Sequence, residues 1–149
     1  MKMTLVKLIL SICMLWGTAF ASAKSDTEKI KVLITEAYVE GLQNWGDLEK
    51  TKQGFDPTFN LLIAGKKGEL KRYAIADWMK NVARKKKKNP GGPKEKTTVT
   101  FIDVDITGTV AVAKIELRKG GKHIFTDYLS LYKFESGWRI VSKVYFQHK

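Results

Sequence analysis

The chain is 149 residues long, carries 27 Lys and Arg against 15 Asp and Glu for a formal charge of +12, and contains a single cysteine. One cysteine excludes an internal disulfide framework and a cysteine-rich metal site, so stability has to come from a packed core. The excess of positive charge favours anionic partners.

Lys2 and Lys7 border an apolar run from Leu8 through Trp16, and Ala21-Ser22-Ala23 supplies the small residues that signal peptidase needs. About a dozen apolar residues fall short of the ~20 that span a bilayer, so the pattern predicts an export signal cleaved after Ala23. Cys13 lies inside this run behind Ile12, where a lipoprotein signal would place a small residue, and lipid attachment is not expected. The predicted organisation is a signal peptide over 1–23 and one domain over 24–149, periplasmic or secreted, with no cysteine and a charge of +10. An exported chain is not expected to meet nucleic acid.

Ser25-Asp26-Thr27-Glu28 fits a capping box and predicts a helix start. Ile30, Leu33, Ile34, Ala37, Tyr38, Gly41, Leu42 and Trp45 then form one apolar stripe at helical spacing, which Gly46 ends. Asp47 caps a second, shorter helix through about Lys52, and Phe55-Asp56-Pro57 turns the chain. Phe59 to Ala64 predicts a short strand, Gly65-Lys66-Lys67-Gly68 a turn, and Leu70 to Tyr73 another short strand. Ile75, Trp78, Met79 and Val82 keep helical spacing, which predicts a third helix from Ala74 to Arg84.

From Arg84 to Lys96 the run RKKKKNPGGPKEK holds a net +6. Like charges repel and Pro90-Gly91-Gly92-Pro93 continues neither helix nor strand, so a solvated, mobile loop is expected. Lys85, Lys86, Lys87 and Lys88 make it either a plain connector or an anion-binding loop for an envelope surface.

The period then changes to two. Ile102, Val104 and Ile106 alternate with Phe101, Asp103 and Asp105, and Ala111, Ala113, Ile115 and Leu117 alternate with Val112, Lys114, Glu116 and Arg118. Two aromatic-rich runs flank Glu135-Ser136-Gly137 and predict a terminal antiparallel hairpin. The order, helices first and then four long strands, is an α+β plan in which amphipathic helices cover one sheet face. No Gly-rich phosphate loop, cofactor motif or metal-ligand set is visible, and His123 and His148 read as surface histidines.

Tyr38-Val39-Glu40-Gly41, Gly46-Asp47, Phe55-Asp56-Pro57, Ile102-Asp103-Val104, Ala111-Val112-Ala113-Lys114, Phe125 to Leu131 (FTDYLSL) and Gly137 to Val144 (GWRIVSKV) together resemble the putative lumazine-binding family of the nuclear transport factor 2-like, or SnoaL-like, superfamily. The resemblance implies a curved antiparallel sheet wrapped around N-terminal helices, a conical pocket and a homodimer. It implies no single chemistry, because the superfamily holds isomerases, dehydratases and silent binding proteins. The residue after Phe55, frequently histidine in the related pattern, is Asp56 here, which weakens a histidine-based mechanism.

If Gly137 takes the left-handed position of a three-residue loop, Phe134 faces Trp138, Asp127 comes opposite Tyr145, and Lys143 lies diagonal to Asp127; a two-residue Ser136-Gly137 or Glu135-Ser136 loop would shift this pairing by one residue. A carboxylate among apolar neighbours is a candidate general base, with Tyr145 as hydrogen-bond donor. The alternative is an Asp127/Lys143 ion pair that fixes strand register. Tyr38, Trp45 and Trp78, on helices covering the implied cone, are candidate walls for a planar ligand. The sequence thus favours a small-molecule-binding or dimeric interaction protein, with an isomerase- or dehydratase-type enzyme using Asp127 as the alternative.

Overall fold

The computed structural model describes residues 24–149; the signal segment expected over 1–23 lies outside the described residues. Helix α1 (Asp26–Leu33) begins where the capping box predicts, with Ser25 Oγ accepting from the Glu28 N–H at 3.3 Å. It runs on without a break as a π-helical segment, Ile34–Gln43, in which the Asn44 N–H donates to the Val39 carbonyl five residues back at 2.9 Å. The apolar stripe had predicted a uniform α-helix to Trp45. The helical chain instead closes at Gln43, with Trp45 in the left-handed region at φ 58°. That turn lets the Gly46 N–H reach back to the carbonyls of Glu40 and Gly41 at 2.8 and 3.1 Å, which caps the end.

Helix α2 (Leu48–Gly54) is capped by Asp47, whose carboxylate accepts from the Glu49 N–H at 2.8 Å. Strand β1 (Phe55–Ala64) starts earlier than expected. Phe55-Asp56-Pro57 is a kink inside it, where Asp56 accepts from the Thr58 N–H at 2.9 Å and the register slips. Strand β2 (Leu70–Ala74) pairs back on β1, and helix α3 (Ile75–Lys88) follows.

Helix α3 corrects the reading of the basic run. Lys85 to Lys88 form its last turn and not a loop, because lysine is a good helix former and cations at a helix C-terminus meet its negative dipole end. Asn89 before Pro90 ends it, since the residue preceding proline is pushed out of the helical region.

Strands β3 (Thr97–Thr107), β4 (Val110–Lys119), β5 (Lys122–Phe134) and β6 (Gly137–Gln147) form an antiparallel run, and β1 joins β6 in parallel, giving the order β2-β1-β6-β5-β4-β3. The parallel β1–β6 pair was not foreseen from sequence. The inner face carries Ala111, Ala113, Ile115, Leu117, Leu129, Leu131 and Ile140, all buried against Ile30, Ile34, Tyr38, Leu42, Phe55 and Phe59. Among the described residues no helix is long and apolar enough to cross a membrane.

Bulges set which side chains reach this core. In β3 a bulge at Ile102 switches the inward set from Val99 and Phe101 to Val104 and Ile106, so Ile102, expected beside the latter two, stands 48% exposed. In the terminal hairpin Gly137, at φ 113°, pairs with Phe134 across a two-residue Glu135-Ser136 turn, not the three-residue loop considered above. A bulge at Val141 then adds one residue to β6 and restores the pairing of Asp127 with Tyr145. Two offsets of one residue cancel.

The π-helical segment approaches α2 closely at Gly41, where an added Cβ would lie 2.0 Å from Thr51 Oγ1. That hydroxyl is buried and donates to the Ala37 carbonyl at 2.9 Å, so it cannot move without loss of its partner. Gly41→Ala is expected to destabilise the fold by ~1–3 kcal/mol, read as a lower urea midpoint with unchanged slope, whereas Gly91→Ala, with open space around it, should leave the midpoint in place.

A buried cation in an aromatic box beside an open cavity

The pairing of β5 with β6 places Asp127 and Lys143 on the inner face, and the π-helical segment lays Tyr38 over them. Lys143 Nζ donates to Asp127 Oδ2 at 2.7 Å and to the Tyr38 hydroxyl at 2.6 Å; that hydroxyl donates to the same Asp127 oxygen at 2.6 Å. Gln43 Nε2 donates to the Tyr38 hydroxyl at 3.2 Å. The phenol is then saturated, with one donated and two accepted bonds. Asp127 is fully buried and Lys143 is 4% exposed.

The π-helix explains Gln43. In an α-helix a side chain five residues on points about 140° away, whereas in the π form five residues make roughly a full turn and stack on one face. Sequence reading at helical spacing had no means of joining Gln43 to Tyr38.

The ammonium is boxed by aromatic rings, with centroids at 4.9 Å for Tyr38, 5.0 Å for Tyr145 and 5.9 Å for both Trp78 and Phe125. Ring quadrupoles and the Asp127 charge offset part of the cost of taking the cation out of water. Burial still pushes the Lys143 pKa below its ordinary value, against the Asp127 carboxylate that holds it up. The Tyr38 hydroxyl is pushed well above its ordinary range, first by burial and then by the Asp127 charge, so its proton stays in place. Asp127 Oδ1 is buried and has no donor among the described residues.

On the far side of Trp78, Phe125 and Gln43 lies a cavity of about 490 Å³ that opens to solvent, lined also by Leu42, Trp45 and Tyr73, with Lys85 and Lys119 among its lining cations. The Trp78 ring packs edge-on to Tyr38 at 5.9 Å and tilted against Tyr73 at 6.0 Å. Lys85 Nζ stands 5.8 Å from the Trp45 ring, and Lys86 Nζ donates to the Gly46 carbonyl at 2.7 Å, which ties the end of α3 to the turn after the π-helix.

The sequence-predicted residues therefore separate into two groups. Tyr38, Asp127 and Lys143 form the buried cluster, with Tyr145 as a wall; the hydroxyl that reaches Asp127 is that of Tyr38. Trp45 and Trp78 line the cavity, and of the four lysines Lys85 lines it as well. Gln43, Tyr73, Phe125 and Lys119 were not among the predicted ligand contacts.

A family model described as putative lumazine-binding matches residues 25–146. The chain belongs to this family. Its fold is that of nuclear transport factor 2-like (NTF2-like) proteins. It is similar to one from Shewanella baltica OS155 at 20% identity, covering 85% of this chain and 99% of that one with a TM-score of 0.61. A second, from Silicibacter pomeroyi DSS-3, has 22% identity, 84% and 100% coverage and a TM-score of 0.63. A third, from Methylobacillus flagellatus KT, has 22% identity, 87% and 97% coverage and a TM-score of 0.60. No curated protein matches the chain.

Removing the Asp127 charge leaves a buried ammonium unpaired, and Asp127→Ala is expected to cost about 3–5 kcal/mol, while Asp127→Asn combined with Lys143→Met should recover most of it. The pH dependence follows from the lowered Lys143 pKa. Between that value and the ordinary lysine value the unfolded chain holds a proton that the folded chain has released, so stability rises with pH across this window. Asp127→Asn removes the carboxylate that holds the pKa up and extends the window toward neutrality. Urea unfolding at pH 7 and 9 should show a larger gain with pH for Asp127→Asn than for the wild type; equal gains would contradict the assignment.

Proposed function

We propose that this protein is an exported, non-catalytic binder of a planar heteroaromatic molecule, held in the open cavity against Trp78 and Phe125. The observation that carries the reading is the shared wall. Gln43, Trp78 and Phe125 each touch both the cavity and the buried Tyr38–Asp127–Lys143 cluster, so the cluster serves as a rigid backing that fixes a flat aromatic surface and the Gln43 amide. A bicyclic pteridine of the lumazine type, the ligand class in the family's description, has the faces such rings stack on and an edge that an amide can hydrogen-bond.

Lys85 and Lys119 at the cavity favour a ligand bearing a negative charge. This gives the basic end of α3 a part in ligand attraction, in place of contact with an anionic envelope surface. A homodimer would draw on the outer sheet face, where Val112, Tyr128, Tyr132, Val144 and Phe146 stand exposed.

The catalytic alternative, with Asp127 as general base, is favoured by the unpartnered Oδ1 and opposed by the saturation of Oδ2. Titration of the protein with lumazine and a panel of planar bicyclic anions, followed by tryptophan fluorescence and thermal midpoint, tests the binding reading. Saturable quenching with a raised midpoint is expected, and Trp78→Ala should weaken binding at least tenfold. An unchanged midpoint at millimolar ligand across the panel would overturn it.

A further inference from the structure

The open cavity does not end at Lys85. Asn81 and Lys85 line both the 490 Å³ space beside Trp78 and a second depression of about 290 Å³, which Arg84 and Lys88 complete. Asn81, Arg84, Lys85 and Lys88 follow at i, i+3, i+4 and i+7 in α3 and therefore share one helix face. Trp78 stands one turn earlier on that face, so the aromatic wall and the cations belong to successive turns of a single helix. Lys119, the last residue of β4, adds a fourth cation at the cavity.

A hydrogen-bonded chain ties the two spaces together. Asn81 Nδ2 donates to the Tyr73 hydroxyl on the cavity wall, and Asn81 Oδ1 accepts from Arg84 Nη2. The Tyr73 hydroxyl donates in turn to the Asp77 carbonyl at 3.2 Å. The guanidinium is thus positioned through one nitrogen and keeps most of its five N–H donors for a ligand. Among the described residues, none of Arg84, Lys85, Lys88 and Lys119 pairs with a carboxylate. Glu95 lies against Gly120, next to Lys119 in the chain, without an ion pair to it. The cavity of about 550 Å³ under the β5–β6 turn is different, because its cations Lys29, Lys50 and Lys133 are each met by Asp26 or Glu36.

We propose that the ligand has two parts, a planar ring held against Trp78 and a side arm that ends in a phosphate monoester seated on Arg84, Lys85, Lys88 and Lys119. This rests on the open cavity being the ring site. A phosphate monoester carries a charge of about −1.5 to −2 at neutral pH and three strong acceptor oxygens. A planar guanidinium meets two of those oxygens at once, and lysines add point charge around them. A carboxylate brings one charge and two oxygens, which leaves much of the cationic set unmatched. The C-terminal end of α3 opposes an anion with about half a negative charge, so the attraction has to come from side chains, and four cations outweigh it. The arm leaves the cavity past Asn81 and Lys85, the two residues that line both spaces.

The test is calorimetric titration with a matched pair of probes, a ribityl-lumazine and the same molecule phosphorylated at the end of its side arm. The phosphorylated probe is expected to bind at least tenfold more tightly at low salt, with the gap narrowing as ionic strength rises. Arg84→Gln combined with Lys88→Gln should bring its affinity down to that of the unphosphorylated probe and leave the latter unchanged, with the urea midpoint reporting that the fold is kept. Trp78→Ala should weaken both probes. Lys66→Gln with Lys67→Gln, which removes two charges from the β1–β2 turn, should preserve the preference. Equal affinity for the two probes, or an equal loss of preference in both double variants, would overturn the phosphate subsite while the ring site stands. Binding of neither probe at millimolar concentration would overturn the ring site and the subsite together.

Discussion

A lysine ammonium and an aspartate carboxylate buried beneath the sheet's covering helices, with a tyrosine hydroxyl closing the triangle, constrain the rest of this molecule. Taking two charges out of water costs several kcal/mol each unless geometry and hydrogen bonding return it. Here the return depends on three distances of 2.6–2.7 Å, and each is set by a different feature of the chain. The strand pairing brings Asp127 and Lys143 to one face, and the π-helical segment brings Tyr38 across it with Gln43 stacked behind.

That demand accounts for the irregularities. The bulge at Val141 is needed because a two-residue turn alone would put Asp127 out of step with Tyr145 and turn Lys143 toward solvent. The π-helix widens the buried face of the first helical stretch, so that Ala37, Tyr38 and Val39 are buried in succession. A regular α-helix with a regular hairpin would be easier to build and would lack the cluster. The cluster in turn holds Trp78, Phe125 and Tyr145 around the ammonium, which gives the open cavity the fixed aromatic wall that the proposed binding of a flat ligand would need.

Much of this was legible in the residues, and the limits are physical. The Ser25 cap, the alternation of β4 and the terminal hairpin are local signals of spacing and turn chemistry, and the structure has each of them. The pairing of Asp127 with Tyr145 was also reached, although by a loop length that the chain does not use; the turn and the bulge each shift the register by one residue and leave the same sum. What sequence hid was non-local or irregular. Ile102 alternates like a core residue and is extruded by a bulge, Gln43 is out of phase with Tyr38 at α-helical spacing, and the parallel β1–β6 pairing joins segments about 80 residues apart. The lysine run was misjudged because charge repulsion was weighed without the helix dipole that offsets it.

Native mass spectrometry of the protein purified from its own source, before and after denaturation, tests the central claim most directly. The account predicts a small organic mass of planar heteroaromatic type that is retained in the native spectrum, released on unfolding, and lost in Trp78→Ala. A protein that carries no such mass and acquires none when lumazine and related bicyclic anions are supplied in excess would contradict it.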